Sequence, residues 1–141
     1  LTAQDLVRNV EERFTLLKGY WFEYFCFKLL QEKAGFTDLL AGVEARDSNR
    51  MGETDLIGFD PTQLNLIFFS CKSGDVPKPL QHVESLRRRA TERGGRFARA
   101  VLIHYPKNKR AQRDIERYCR DNDTLYWTID DLKEKPIESL F

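Results

Sequence analysis

No uninterrupted apolar run in this chain approaches the length of a membrane span, and no signal peptide opens it. Cysteine is scarce. Cys26, Cys71 and Cys119 are odd in number, widely spaced and without a C-x-x-C, which argues against both a disulfide framework and a zinc knuckle. Histidine is scarcer, with only His82 and His104, each isolated in sequence, so a cluster of histidine ligands is not expected. His82 reads as a surface residue, with a phosphate contact as the alternative. Internal repeats, low-complexity tracts and an interdomain linker are all missing. Together these absences lead to the expectation of a soluble protein without a membrane partner, in a reducing, cytoplasmic setting.

What is present fits one domain over residues 1–141, long enough to bury roughly two-thirds of its unfolded surface. The chain opens at Leu1 rather than methionine, so a longer protein with an upstream domain is expected. Its formal net charge of +1 conceals a strong asymmetry. Residues 1–71 carry 7 Lys/Arg against 11 Asp/Glu, residues 72–120 carry 14 against 5, and residues 121–141 carry 2 against 6. An arginine-rich middle block is the usual electrostatic footprint of phosphate-backbone binding, and solvated helix faces are the plain alternative. Lys78, Arg87, Arg88, Arg89, Arg96 and Arg99 are the candidate nucleic-acid contacts.

Apolar residues at spacings of three and four from Leu6 through Leu29 predict a helix over about 5–33, ended by Gly35. Around Tyr20–Phe27 the pattern is apolar on nearly every side, which predicts a buried segment. Strands are expected at about 40–46, 53–59 and 64–71, the last apolar on both faces and therefore central. A helix over 80–93 ending at Gly94-Gly95, a strand over 97–104, a charged helix over 108–120, a short strand at 125–127 and a terminal helical turn complete the order α-β-β-β-α-β-α-β. The fold class is α/β, with a mixed central sheet flanked by helices.

Two strands carry charge where strands normally exclude it. Gly52-Glu53-Thr54-Asp55-Leu56-Ile57 leads, through Asp60-Pro61, into Asn65-Leu66-Ile67-Phe68-Phe69-Ser70-Cys71-Lys72-Ser73-Gly74. Desolvating an unpaired charge costs several kcal/mol or more, and a metal ion or a substrate phosphate would offset that. Side chains two apart share a face, so Glu53 projects with Asp55 and Ser70 with Lys72. The short link makes the two strands an antiparallel hairpin, which lets the polar pairs converge at one end of the sheet.

This arrangement, together with Gly19-Tyr20-Trp21-Phe22-Glu23-Tyr24 in the first helix, resembles the PD-(D/E)xK nuclease superfamily. Within it, the chain is most similar to the nuclease domain of CRISPR-associated proteins that carry an upstream CARF sensor of cyclic oligoadenylate. The resemblance covers about 20–105 and implies a restriction-endonuclease-like αβββαβ core, with the last helix and strand as a C-terminal αβ extension. It implies Mg²⁺ or Mn²⁺ as cofactor, Asp55 and the Cys71 carbonyl as ligands, Lys72 orienting or activating water, and Glu23 approaching from the first helix. Paired cutting by this fold further implies a homodimer.

The departure from the family lies at Ser70, where the pattern has Glu or Asp. Both ions prefer anionic oxygen ligands, so the hydroxyl removes one full charge. Glu53 is the natural compensator, and a solvent-exposed role after Gly52 is its alternative. Asp55 could instead cap a strand start, Lys72 could snorkel to water, and Glu23 could form a structural salt bridge. No base lies near Ser70 in sequence, which makes a serine-hydrolase reading poor. The expected function is metal-dependent hydrolysis of phosphodiester bonds in DNA or RNA with low sequence specificity. The alternative is a catalytically degenerate module that binds nucleic acid or mediates domain association.

Overall fold

The structure, a computed structural model, describes residues 2–33, 38–43, 54–60 and 63–141; the side chains of 11–20, 38, 41–43 and 54–55 lie outside the described set. Its elements are α1 (Ala3–Lys33), β1 (Asp38–Val43), β2 (Thr54–Asp60), β3 (Asn65–Ser73), α2 (Pro79–Gly94), β4 (Arg99–Tyr105), α3 (Lys109–Asp121), β5 (Leu125–Thr128) and α4 (Ile129–Glu134). A short 3-10 turn, Ile137–Ser139, follows. The order is the one expected from periodicity, with β1 placed two to three residues earlier. The expected stop at Gly35 lies outside the described residues.

The five strands form one mixed sheet in the order β1-β2-β3-β4-β5, antiparallel from β1 to β3 and parallel from β3 to β5. This is an α/β fold with helices on both faces. The two parallel crossovers run in the same direction across the sheet, and crossovers of constant hand put their helices on one side. Accordingly α2 and α3 cover one face, while α1 and α4 cover the other.

Strand β3 is central and its middle is buried on both faces. Ile67, Phe69 and Cys71 join Cys26 and Leu30 of α1 in one core cluster. Phe68 points the other way, into a second cluster with Val83, Leu86 and Ala90 of α2 and Ile115 and Cys119 of α3. Burying each phenylalanine contributes about 1.5–3 kcal/mol, so the alternation along β3 ties two helix layers to one strand. Leu64, expected on this strand, instead sits in the preceding turn with φ 55° and is 76% exposed. All three cysteines are free and buried.

One expectation for α1 fails. Cys26 and Leu30 are buried, yet Trp21 is 70% exposed, Tyr24 55% and Phe25 40%. The helix packs against the sheet along a single stripe, and nothing among the described residues covers the opposite side. Apolar residues all round a helix do not bury it unless a second layer arrives.

Helix α2 closes against β3 at its C-terminal end, where Gly94 leaves no room for a side chain. A Cβ there would stand 2.6 Å from both the Ala98 Cβ and the Phe68 ring. Gly95 follows with φ 84°, a left-handed conformation suited to glycine. Gly94→Ala is therefore expected to lower stability by about 1–3 kcal/mol through overpacking. Urea unfolding of the two proteins checks it, and an unchanged midpoint would contradict the close approach.

Candidate functional site

The site forms where β3 ends and the chain turns into α2. Gly74 takes φ 79°, and its N–H donates to the Tyr105 carbonyl at 2.8 Å. Its own carbonyl accepts a 2.8 Å hydrogen bond from His104 Nε2. A carbonyl can only accept, so that nitrogen carries the proton. Nδ1 of the neutral ring is then the acceptor for the Tyr126 hydroxyl at 2.8 Å. His104 is fully buried, and burial pushes its pKa down despite the opposing bond to Gly74. This histidine, unassigned by sequence, anchors the turn to β4.

From that turn the chain passes through Lys78, whose φ of 48° is left-handed, and Pro79 opens α2 in the position where its missing N–H costs nothing. The first turn of α2 then brings His82 over β3. Its Nε2 lies 2.9 Å from Ser70 Oγ, a hydrogen bond between groups that are twelve residues apart. Ser70 is only 3% exposed. The expectation of a surface histidine is thus corrected: His82 is half-buried and faces the sheet. The signal was present in the spacing, since His82 lies four residues before the buried Leu86 and so shares its stripe.

The surroundings of His82 are cationic. Burial comes first, and the charges of Lys72 and Arg89 add to it, so that the His82 pKa falls from an ordinary 6.5 to about 4. The imidazole is neutral at physiological pH. Lys72, half-buried, stands opposite His104 in the β3–β4 register and shares the face of Ser70. No ion pair to Lys72 exists among the described residues.

The other sequence candidates fall in different places. The backbone of Asp55 lies in β2, one residue before Leu56, which pairs with Phe69. The Asp55 side chain and the whole of Glu53 lie outside the described residues. Glu23 is half-buried on α1, three residues before Cys26, and α1 packs on the face opposite Ser70 and Lys72. Cys71 stands opposite Ile103 in the ladder, with its side chain in the α1-side cluster.

Among the arginines, Arg87 is committed internally. Its guanidinium donates to the carbonyls of Ala98 at 2.9 Å and Asp123 at 3.2 Å and to Thr91 Oγ1 at 3.0 Å. Arg88 and Lys78 are exposed, and Arg89 is half-buried on α2. Arg96 and Arg99 lie at the far end of β4, away from Lys72.

Because the folded chain holds the His82 proton less tightly than the unfolded one, the unfolded state binds more protons between about pH 4 and 6.5. The histidine's contribution to stability is fully present above about pH 6.5 and is lost as the pH falls through about 4. Urea unfolding from pH 7 to pH 4 is expected to show a smaller loss of stability for His82→Gln than for the parent protein. Equal losses would mean that the ring is not held as described.

No family profile matches the chain, and no curated protein matches its sequence. Solved structures do. Can2 from Sulfobacillus thermosulfidooxidans, determined in complex with cyclic tetra-adenylate, superposes with a TM-score of 0.61 at 17% identity, over 85% of this chain and 34% of that one. Protein VC1899 from Vibrio cholerae superposes with a TM-score of 0.60 at 21% identity, over 86% of this chain and 33% of that one. The chain thus spans about a third of the length of these structures, and its fold recurs within each of them.

Proposed function

We propose that this domain acts on the phosphodiester backbone of nucleic acid, DNA or RNA, as a nuclease of low sequence specificity. The observation that carries the reading is Lys72, a half-buried cation without a carboxylate partner among the described residues, beside the neutral His82–Ser70 pair. Its desolvation is offset when an anion arrives, and a backbone phosphate supplies one. In this reading Lys72 stabilises the charge that develops on the phosphate, while His82 holds the Ser70 hydroxyl in place.

Among the described residues, no group of three His, Cys, Asp or Glu side chains gathers to hold a metal. The donors at the site, Ser70 Oγ and His82 Nε2, are both neutral, and they do not by themselves suit Mg²⁺ or Mn²⁺. A hard dication there depends on Asp55 and Glu53. Held by those carboxylates, it would lower the pKa of a bound water and neutralise phosphate charge.

A second reading is favoured by one feature. Ser70 is buried and bonded to a neutral histidine where nuclease chemistry wants a carboxylate. A catalytically degenerate module would keep the cationic surface and lose hydrolysis. For the whole protein, we infer a larger effector that responds to a cyclic oligoadenylate bound outside this chain. Its support is the resemblance to CARF-linked nuclease domains together with the fold shared with Can2, a protein of greater length bound to cyclic tetra-adenylate.

Cleavage of plasmid and single-stranded substrates with Mg²⁺ or Mn²⁺ decides between the readings. The nuclease reading expects activity that falls by about 10²-fold or more in Asp55→Ala and in Lys72→Ala, as for loss of one charge-stabilising group. Inactivity of the parent protein, with activity gained in Ser70→Glu, would establish the degenerate module instead.

A further inference from the structure

At the opposite end of β4 from Lys72, the ends of α2 and α3 stand apart and leave a cavity of about 570 Å³. That volume is in the range of small-ligand sites. Arg96, Arg99 and Arg120 line it, and no ion pair engages any of the three among the described residues. The carboxylates on its wall are Glu116 and Asp123, and the latter already faces Arg87 at 3.8 Å. Arg87 braces the wall through the Ala98 and Asp123 carbonyls, and the Arg99 guanidinium lies 5.3 Å from the Phe141 ring centroid on the other face of the sheet, so Arg96 and Arg120 supply the guanidiniums available to an anion.

An aromatic ring stands at the same mouth. Phe97 is 75% exposed, and the Arg96 guanidinium lies 5.3 Å from its centroid. An exposed phenylalanine beside unpaired arginines combines a stacking surface with phosphate donors, the pairing by which proteins grip single strands without reading sequence. Duplex bases are stacked on each other and cannot reach such a ring.

We propose that Arg96, Phe97 and Arg120 form a second binding site, which holds one phosphate and one unpaired base of a single strand. Arg99 precedes His104 by five residues along β4, and His104 is level with Lys72, so the new site lies about 17 Å along the strand direction from Lys72. The inference rests on the reading of the domain as acting on nucleic acid, and it fixes where the flanking strand is held. It requires no hydrolysis.

The test is equilibrium binding of a fluorescein-labelled homopyrimidine single strand in EDTA, over a range of salt. Phe97→Ala is expected to weaken binding about tenfold with little change in salt dependence, and Phe97→Trp to retain it. An Arg96→Ala/Arg120→Ala double variant is expected to weaken binding and to reduce the slope of log affinity against log salt by about 1.4. Thermal melts confirm that each variant is folded. Parental affinity in both alanine variants, or no binding by the parent, overturns the proposal. So does full competition by AMP at equal nucleotide concentration, which would make the cavity a small-nucleotide site. Binding that follows this pattern in a protein without cleavage activity would sustain the site while removing the nuclease reading.

Discussion

The turn at Gly74 is the constraint on which the rest of the site depends. Two bonds fix it to β4, one from its own N–H to Tyr105 and one from the buried His104 ring to its carbonyl. Breaking the second would leave the ring nitrogen of the fully buried His104 unpaired, at a cost of about 1–3 kcal/mol. Because the turn is pinned, α2 starts at a defined height above β3. That height sets His82 over Ser70, and from there Val83, Leu86 and Ala90 follow onto the Phe68 side of the strand.

Packing and electrostatics then act against each other along one face. The Phe68 cluster draws α2 down onto the sheet, and the same approach removes His82, Lys72 and Arg89 partly from water. Burial and the two nearby cations together hold the imidazole neutral. A neutral ring adds no charge to the corner that it shares with Lys72 and Arg89. At the other end of the face, Arg87 is consumed in bracing the loop before β4. Beyond it, Arg96 and Arg120 line the cavity, while the Arg99 guanidinium lies over the Phe141 ring.

Much of this architecture was legible from residues alone. The run apolar on both faces through Leu66–Phe69, Gly94-Gly95 after a helical stripe, and the short apolar run Ala98–Ile103 each mark an element by local stereochemistry, and each element is there. Parity also put Ser70 and Lys72 on one face, and the register agrees. Two readings went astray for the same reason. Hydrophobicity alone predicts Tyr20–Phe27 buried and His82 exposed. The sheet covers one stripe of α1 only, and it covers a histidine that happens to lie on the correct stripe of α2.

The sequence by itself determined which segments become strands and helices, their order, and the concentration of positive charge after residue 71. Those properties are set by side-chain periodicity, turn chemistry and composition, which act over a few residues. Only the tertiary structure decided that Ser70 meets His82, that His104 holds Gly74, and that Arg87 serves the fold while Arg96 lines a cavity and Arg99 lies over Phe141. The contacts of Ser70 with His82, of His104 with Gly74 and of Arg87 with Ala98 each join residues more than ten positions apart. Such pairings depend on how the helices settle on the sheet, and no local pattern encodes that distance.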